Sequence, residues 1–207
     1  MILPAPYYNH AGITIYCGDC REILPLLEPV DFICTDPPYG LDFRGSEWDS
    51  KIPDWLPVAR EKARVVAFTT APTTVWDYPR TDWVLCWQRP AAQSRTATGT
   101  FNHWTPILVY GKGKWNPDCF RYNGNTAGQE NKGINHPSPK PVALMKWLIA
   151  GADCKGVYDP FMGSGTTLLA AKELGIKATG IEISEEYCRI AVRRLSQEVF
   201  NFGEVNG

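Results

Sequence analysis

Nowhere in its 207 residues does this sequence approach the roughly 18 consecutive apolar residues of a membrane-crossing helix, so a helical membrane protein is excluded. Residues 1–10 show neither a basic start followed by an apolar stretch nor a small-residue cleavage site, and a cytoplasmic protein is expected. Regular cysteine spacing is also missing. The seven cysteines, at 17, 20, 34, 86, 119, 154 and 188, do not form a secreted disulfide framework, and reduced thiols are expected. Cys17 and Cys20 make a lone Cys-x-x-Cys with no second pair and no histidine cluster, so no metal is expected and both are read as packing residues. Net charge is scarce too: the formal total of −1 offers no overall attraction to a polyanion, although binding needs only a local basic face. Residues 86–146 carry Arg89, Arg95, Lys112, Lys114, Arg121, Lys132, Lys140 and Lys146 against Asp118 and Glu130, a net +6 that leaves −7 for the remainder. Either a solvated positive surface or a nucleic-acid face would give this pattern.

The length suits one domain, 1–207, and 44% hydrophobic with 21% charged residues is an ordinary folded composition. Short apolar runs alternate with helical stretches, the pattern of an α/β fold with a mostly parallel sheet covered by helices. Strands are expected at Ile13–Cys17, Asp31–Thr35, Val65–Thr69, Val84–Gln88, Ile107–Tyr110, Gly156–Asp159 and Ala178–Ile183. Helices are expected near 20–27, 55–63, 140–150, 165–174 and 184–199. Ser184 is a good N-cap for the last of them, with Glu185 and Glu186 at its positive end and Arg189, Arg193 and Arg194 further on. Residues 111–139, rich in Gly, Asn, Lys and Pro, have no sustained period and read as a long functional or disordered loop.

Two constellations carry chemistry. In the first, the strand ending at Asp159 runs through Pro160-Phe161-Met162-Gly163-Ser164-Gly165 into a helix, and a second strand ends in Glu182. The glycines permit close backbone approach and the glutamate can accept two ribose hydroxyls, although Gly-x-Gly alone could be only a tight turn. No lysine follows the glycines, which disfavours a phosphate loop, and the third glycine of the dinucleotide fingerprint is absent. Asp159 can accept from a ligand amine, so cationic S-adenosylmethionine (AdoMet) fits better than NAD. In the second, Asp36-Pro37-Pro38-Tyr39-Gly40 follows the run 31–35. The prolines stiffen the turn, so that the Asp36 carboxylate and the Pro37 carbonyl can face one NH₂ group, while Tyr39 offers a flat face to a planar ring. A rigid loop with an exposed aromatic is the alternative reading.

Together, in this order, the two motifs resemble those of the DNA amino-methyltransferases that modify N6 of adenine or N4 of cytosine, in the permuted group whose catalytic half comes first. The resemblance covers residues 13–40 and 136–199. It implies a Rossmann-like AdoMet-dependent methyltransferase fold, AdoMet as cofactor, and DNA as partner, through a flipped base or a single strand. It assigns Phe161, Gly163, Gly165, Thr166 and Thr167 to the cofactor loop, Glu182 to the ribose and Asp19 to the cofactor's adenine region. His136–Pro141, with Lys140, corresponds to a helix entry beside the methionine moiety, or is simply a proline-started helix. Asp36 in place of Ser is nearer to the adenine-modifying members. The chain lacks their sizeable recognition region and has only the loops 89–104 and 111–135 as candidate DNA contacts, so short or relaxed recognition is expected, unless a second subunit such as a homodimer partner adds contacts. Trp48 and Trp55 could close the pocket or pack in the core. RNA or a protein amide as substrate would be expected with Asn at position 36, and a non-catalytic binding subunit would not need both motifs.

Overall fold

The computed structural model describes residues 2–42, 49–90, 99–122 and 140–196. In chain order the elements are β1 Tyr8–His10, β2 Ile13–Cys17, α1 Cys20–Ile23, β3 Val30–Thr35, α2 Leu56–Lys62, β4 Ala63–Thr69, β5 Trp83–Gln88, β6 Trp104–Tyr110, β7 Cys119–Arg121, α3 Val142–Ala152, β8 Gly156–Asp159, α4 Thr166–Glu173, β9 Lys177–Glu182 and α5 Glu185–Ser196. Among the described residues, one sheet of nine strands has the order β1-β2-β9-β8-β3-β4-β6-β5-β7. From β2 to β4 all neighbours are parallel, whereas β6 runs antiparallel between β4 and β5. The expected α/β class, a mostly parallel Rossmann-like sheet with helices on both faces, is the observed one.

The apolar runs are continuous because the central strands are covered on both sides. Phe32 and Cys34 of β3 join Val65 and Ala67 of β4 on one face, under Leu144, Met145 and Leu148 of α3, Leu168 of α4 and Ala191 of α5. Ile33, Val66 and Phe68 point to the other face, against Cys20 and Ile23 of α1, Leu24, and Leu56 and Ala59 of α2.

Most differences from the expected boundaries have local causes. The stretch 20–27 is α-helical only to Ile23, because Pro25 cannot donate within a helix and Leu24–Leu26 tightens into a 3₁₀ turn. The helix expected at 140–150 starts after Pro141 and ends with Asp153 in the left-handed region. β9 stops at Glu182, leaving Ile183 72% exposed. The strands β1 and β7 were not expected; each has three residues and pairs with a single neighbour, so neither has an apolar run of its own. Cys20 is buried as a packing residue, but Cys17 is exposed at the end of β2, where side chains meet solvent. Among the described residues no helix is long and apolar enough to cross a membrane, and no cluster of metal-ligating side chains occurs. Trp48, His136–Pro139, residues 197–199, and residues 91–98 and 123–135 of the loops 89–104 and 111–135 lie outside the described residues.

Candidate active site

Both motifs fall at the carboxyl ends of adjacent parallel strands, Asp36 after β3 and Asp159 at the end of β8. Ligands gather at this edge of an open α/β sheet. Thr35 Oγ1 donates to Asp159 Oδ1 at 2.5 Å and so ties the two strand ends together. Phe161 N donates to the same oxygen at 3.1 Å. Burial raises the Asp159 carboxyl to about 6, with the Thr167 and Thr35 hydroxyls opposing it. Asp159 is therefore turned inward, on the frame of the turn.

Beyond it, Gly163 (φ 51°) and Gly165 (φ 81°) occupy the left-handed region that favours glycine. At Gly165 a Cβ would also stand 2.8 Å from that of Ala191, so close packing of α5 is a second reason for this glycine. Gly163 N donates to Glu182 Oε2 and Ser184 N to Glu182 Oε1, each at 2.9 Å. Burial raises the pKa of Glu182 from its ordinary value. The carboxylate retains acceptor capacity for a ligand hydroxyl. Thr166 and Thr167 are buried, and Arg194 Nη1 donates to Ser164 O (2.7 Å), Ser164 Oγ (3.0 Å) and Thr166 Oγ1 (3.1 Å), fixing the loop from behind. Asp19 follows β2, next to β9 in the sheet, and its carboxylate caps α1 and pairs with Arg21, which holds its pKa below the ordinary value. The acceptors beside the glycine turn, with Arg194 engaged behind it, suit a ligand bearing hydroxyls and positive charge, and AdoMet fits that set.

The second motif is more tightly built than its sequence reveals. Asp36 Oδ1 accepts from Tyr39 Oη at 2.7 Å and from Thr69 Oγ1 at the end of β4, while Oδ2 is paired with the Lys140 ammonium. Lys140 also stands 5.7 Å from the centroid of the Tyr39 ring. Only 11% of its side chain is exposed, against 26% for Asp36. The structure thus brings Lys140, which the resemblance places beside the cofactor's methionine moiety, to the Asp36 cluster. Burial and the Asp36 charge push the Tyr39 phenol well above its ordinary range. Pro37 is buried and Pro38 half-buried. Trp55 is 1% exposed, edge-on to Phe68 and Phe161, so it packs in the core behind the cofactor loop.

Three contributors were missed in the sequence. Asp49, 3% exposed, accepts backbone N–H groups from Tyr39 (2.5 Å), Gly40 (3.1 Å) and Leu41 (3.3 Å), which fixes the turn. Thr69 orients Asp36, and Thr35 joins the two motifs. Asp49 carried a faint signal as an acid shortly after a glycine turn; the threonines, at the ends of apolar strands, carried none.

Residues 60–193 match the DNA methylase family. YubD of Escherichia coli (strain K12) is 30% identical over 208 residues, covering 86% of this chain and 88% of that protein. Among solved structures, the M1.HpyAVI–SAM complex superposes with a TM-score of 0.68 at 24% identity, covering 88% of this chain and 99% of that one. The PvuII DNA methyltransferase (cytosine-N4-specific) superposes with a TM-score of 0.71 at 17% identity, covering 94% and 90% respectively. These two likenesses concern the fold. With the family match spanning the strands that carry Asp159 and Glu182, and Asp36 seated on the adjoining strand, the chain belongs to the DNA methylase family.

Proposed function

We propose that this AdoMet-dependent DNA methyltransferase modifies the exocyclic N6 amino group of adenine, on a base flipped from the duplex or in a single strand. The observation that carries the reading is the Asp36 cluster, an acceptor preorganised by Tyr39 and Thr69 one strand away from the cofactor turn. AdoMet, when bound, supplies an electrophilic sulfonium methyl group. Glu182 takes the ribose hydroxyls, the backbone around Phe161, Gly163 and Gly165 lines the cofactor, and Asp19 stands on its adenine side. Thr166, Thr167 and Asp159 hold the loop in shape.

The amino nitrogen of adenine is a weak nucleophile because its lone pair is delocalised into the ring. Asp36 and the Pro37 carbonyl accept its two N–H bonds and stabilise the pyramidal, increasingly positive nitrogen of the transition state. Catalysis is then positioning and electrostatics, with proton loss following transfer. Lys140 occupies the Asp36 oxygen and the Tyr39 face proposed for the amino group and the ring, so the entering base displaces it. Recognition is short or relaxed, and a second copy of the chain is one way to lengthen it. N4 of cytosine is the second reading, because Asp36 accepts from either amino group.

Duplex DNA incubated with the protein and AdoMet, then digested to nucleosides and analysed by mass spectrometry, is expected to yield N6-methyladenine. Only N4-methylcytosine would overturn the choice of base, and transfer to RNA or protein alone would overturn the substrate class.

A further inference from the structure

Arg89 follows the last residue of β5, and β5 runs parallel to β3 and β4, so its guanidinium emerges on the same sheet edge as Asp36. Three strand spacings, roughly 14 Å, separate β5 from β3. Two contacts fix it: its backbone N–H donates to His103 O at 2.6 Å, and its guanidinium lies 5.2 Å from the centroid of the Trp87 ring. Its Nε is buried and without a hydrogen-bond partner among the described residues, as is the indole N–H of Trp87. None of the described carboxylates pairs with it. Burial lowers the pKa of Arg89, and among the described residues Tyr39, the neighbour of Asp36, acts in the opposite sense.

A half-buried cation to which the described residues offer no counter-charge bears a desolvation penalty that the Trp87 face offsets only in part. An anion at the Nε side of the guanidinium would offset it through two parallel charge-assisted hydrogen bonds; a neutral base edge would supply the hydrogen bonds without the charge. A base laid on the Tyr39 face with its amino group at Asp36 carries its sugar–phosphate backbone toward this rim. Resting on the proposed base methylation, we infer that Arg89 binds the phosphodiester flanking the target nucleotide and holds the flipped base at Asp36. It is a positioning residue: it touches the DNA backbone and acts on transfer through the placement of the base.

The test uses a synthetic duplex containing a site found by mapping methylation in treated genomic DNA, and variants in which one flanking phosphate at a time is a neutral methylphosphonate. With the wild-type protein, one such replacement is expected to lower kcat/KM at least tenfold. In Arg89→Gln, kcat/KM on the unmodified duplex falls at least tenfold, the same replacement then costs less than twofold, and the slope of log KM against log salt declines by about 1. AdoMet affinity, measured by calorimetry, stays within twofold, which establishes that the variant is folded. Arg89→Lys, keeping the charge without the fork, retains a weaker phosphate dependence, so the result does not depend on one variant. Equal methylphosphonate penalties in wild type and Arg89→Gln, or an unchanged kcat/KM for Arg89→Gln, would overturn the assignment in favour of a base contact or a structural role. Failure of the wild-type protein to methylate the unmodified duplex would instead defeat the proposed reaction, and this inference with it.

Discussion

Asp49 gives the sharpest test of whether the catalytic turn is preorganised. Its Oδ1 accepts from Tyr39 N and Gly40 N, and its Oδ2 from Leu41 N at 3.3 Å, the longest of the three. Asp49→Ala orphans all three donors. An unsatisfied buried donor costs about 1–3 kcal/mol, and water can relieve part of this because Leu41 is 49% exposed, so a total of about 3 kcal/mol is expected. The loss falls on the turn that carries Tyr39, whose hydroxyl orients Asp36. At 1.36 kcal/mol per decade, about 3 kcal/mol corresponds to a roughly hundredfold drop in kcat/KM for DNA. Asp49→Asn keeps Oδ1 and, of these three contacts, loses the one to Leu41, so a tenfold drop or less is expected. AdoMet affinity should not move in either variant, because Glu182 and the glycine turn bond to other residues. Transfer of labelled methyl to one duplex, beside calorimetric titration of AdoMet, supplies both readouts. An alanine variant within threefold of wild type, or alanine and asparagine variants of equal activity, would refute the reasoning.

Asp36→Ala should reduce transfer by a hundredfold or more while AdoMet binding stays within a few-fold of wild type; a residual rate above about a tenth would mark Asp36 as structural. Glu182→Ala should weaken AdoMet binding in calorimetry, because it removes both the ribose acceptors and the carboxylate that holds Gly163 N, and unchanged affinity would defeat the cofactor assignment. Asp159 titrates in the folded state at about 6 against an ordinary 3.8, so its contribution to stability is fully present below about pH 4 and is lost as pH rises through 6. Urea unfolding of Asp159→Asn should therefore show a stability advantage over wild type that grows between pH 4 and 6 and then levels off; a constant difference would contradict the burial.

Local rules made the cores of the elements legible. Apolar runs marked seven of the nine strands, and Ser184 caps α5 through Tyr187 N at 3.4 Å, as its residue type implies. The two motifs were legible for a related reason, since glycine and proline fix backbone geometry over four or five residues. What remained hidden depends on distant returns of the chain. Lys140 lies 104 residues from Asp36, and Thr69 reaches Asp36 only because β4 pairs with β3. The strand β7 pairs only with β5, in a stretch whose composition reads as a loop. Cys17 was misread because its run is apolar, whereas the strand ends there.

The order of the two motifs in the chain has no bearing on the site they build. In a parallel sheet each strand is joined to its neighbour by a crossover, so spatial adjacency follows from strand order and not from succession in sequence. Here β8 and β9, late in the sequence, insert between β2 and β3, early in it. On the proposed reading the cofactor side is thus assembled from β8, β9 and the end of β2, the acceptor side from β3 and β4, and the boundary between them is the β3–β8 pair, registered Phe32 to Val157 and Ile33 to Tyr158. The 2.5 Å bond from Thr35 to Asp159 closes that boundary immediately above the last registered pairs. It fixes the relative height of the two turns, and transfer between a bound methyl donor and a seated amino group depends on that height. A substitution at this boundary should therefore alter transfer more than the binding of either partner, even though neither Thr35 nor Asp159 needs to touch the reacting atoms.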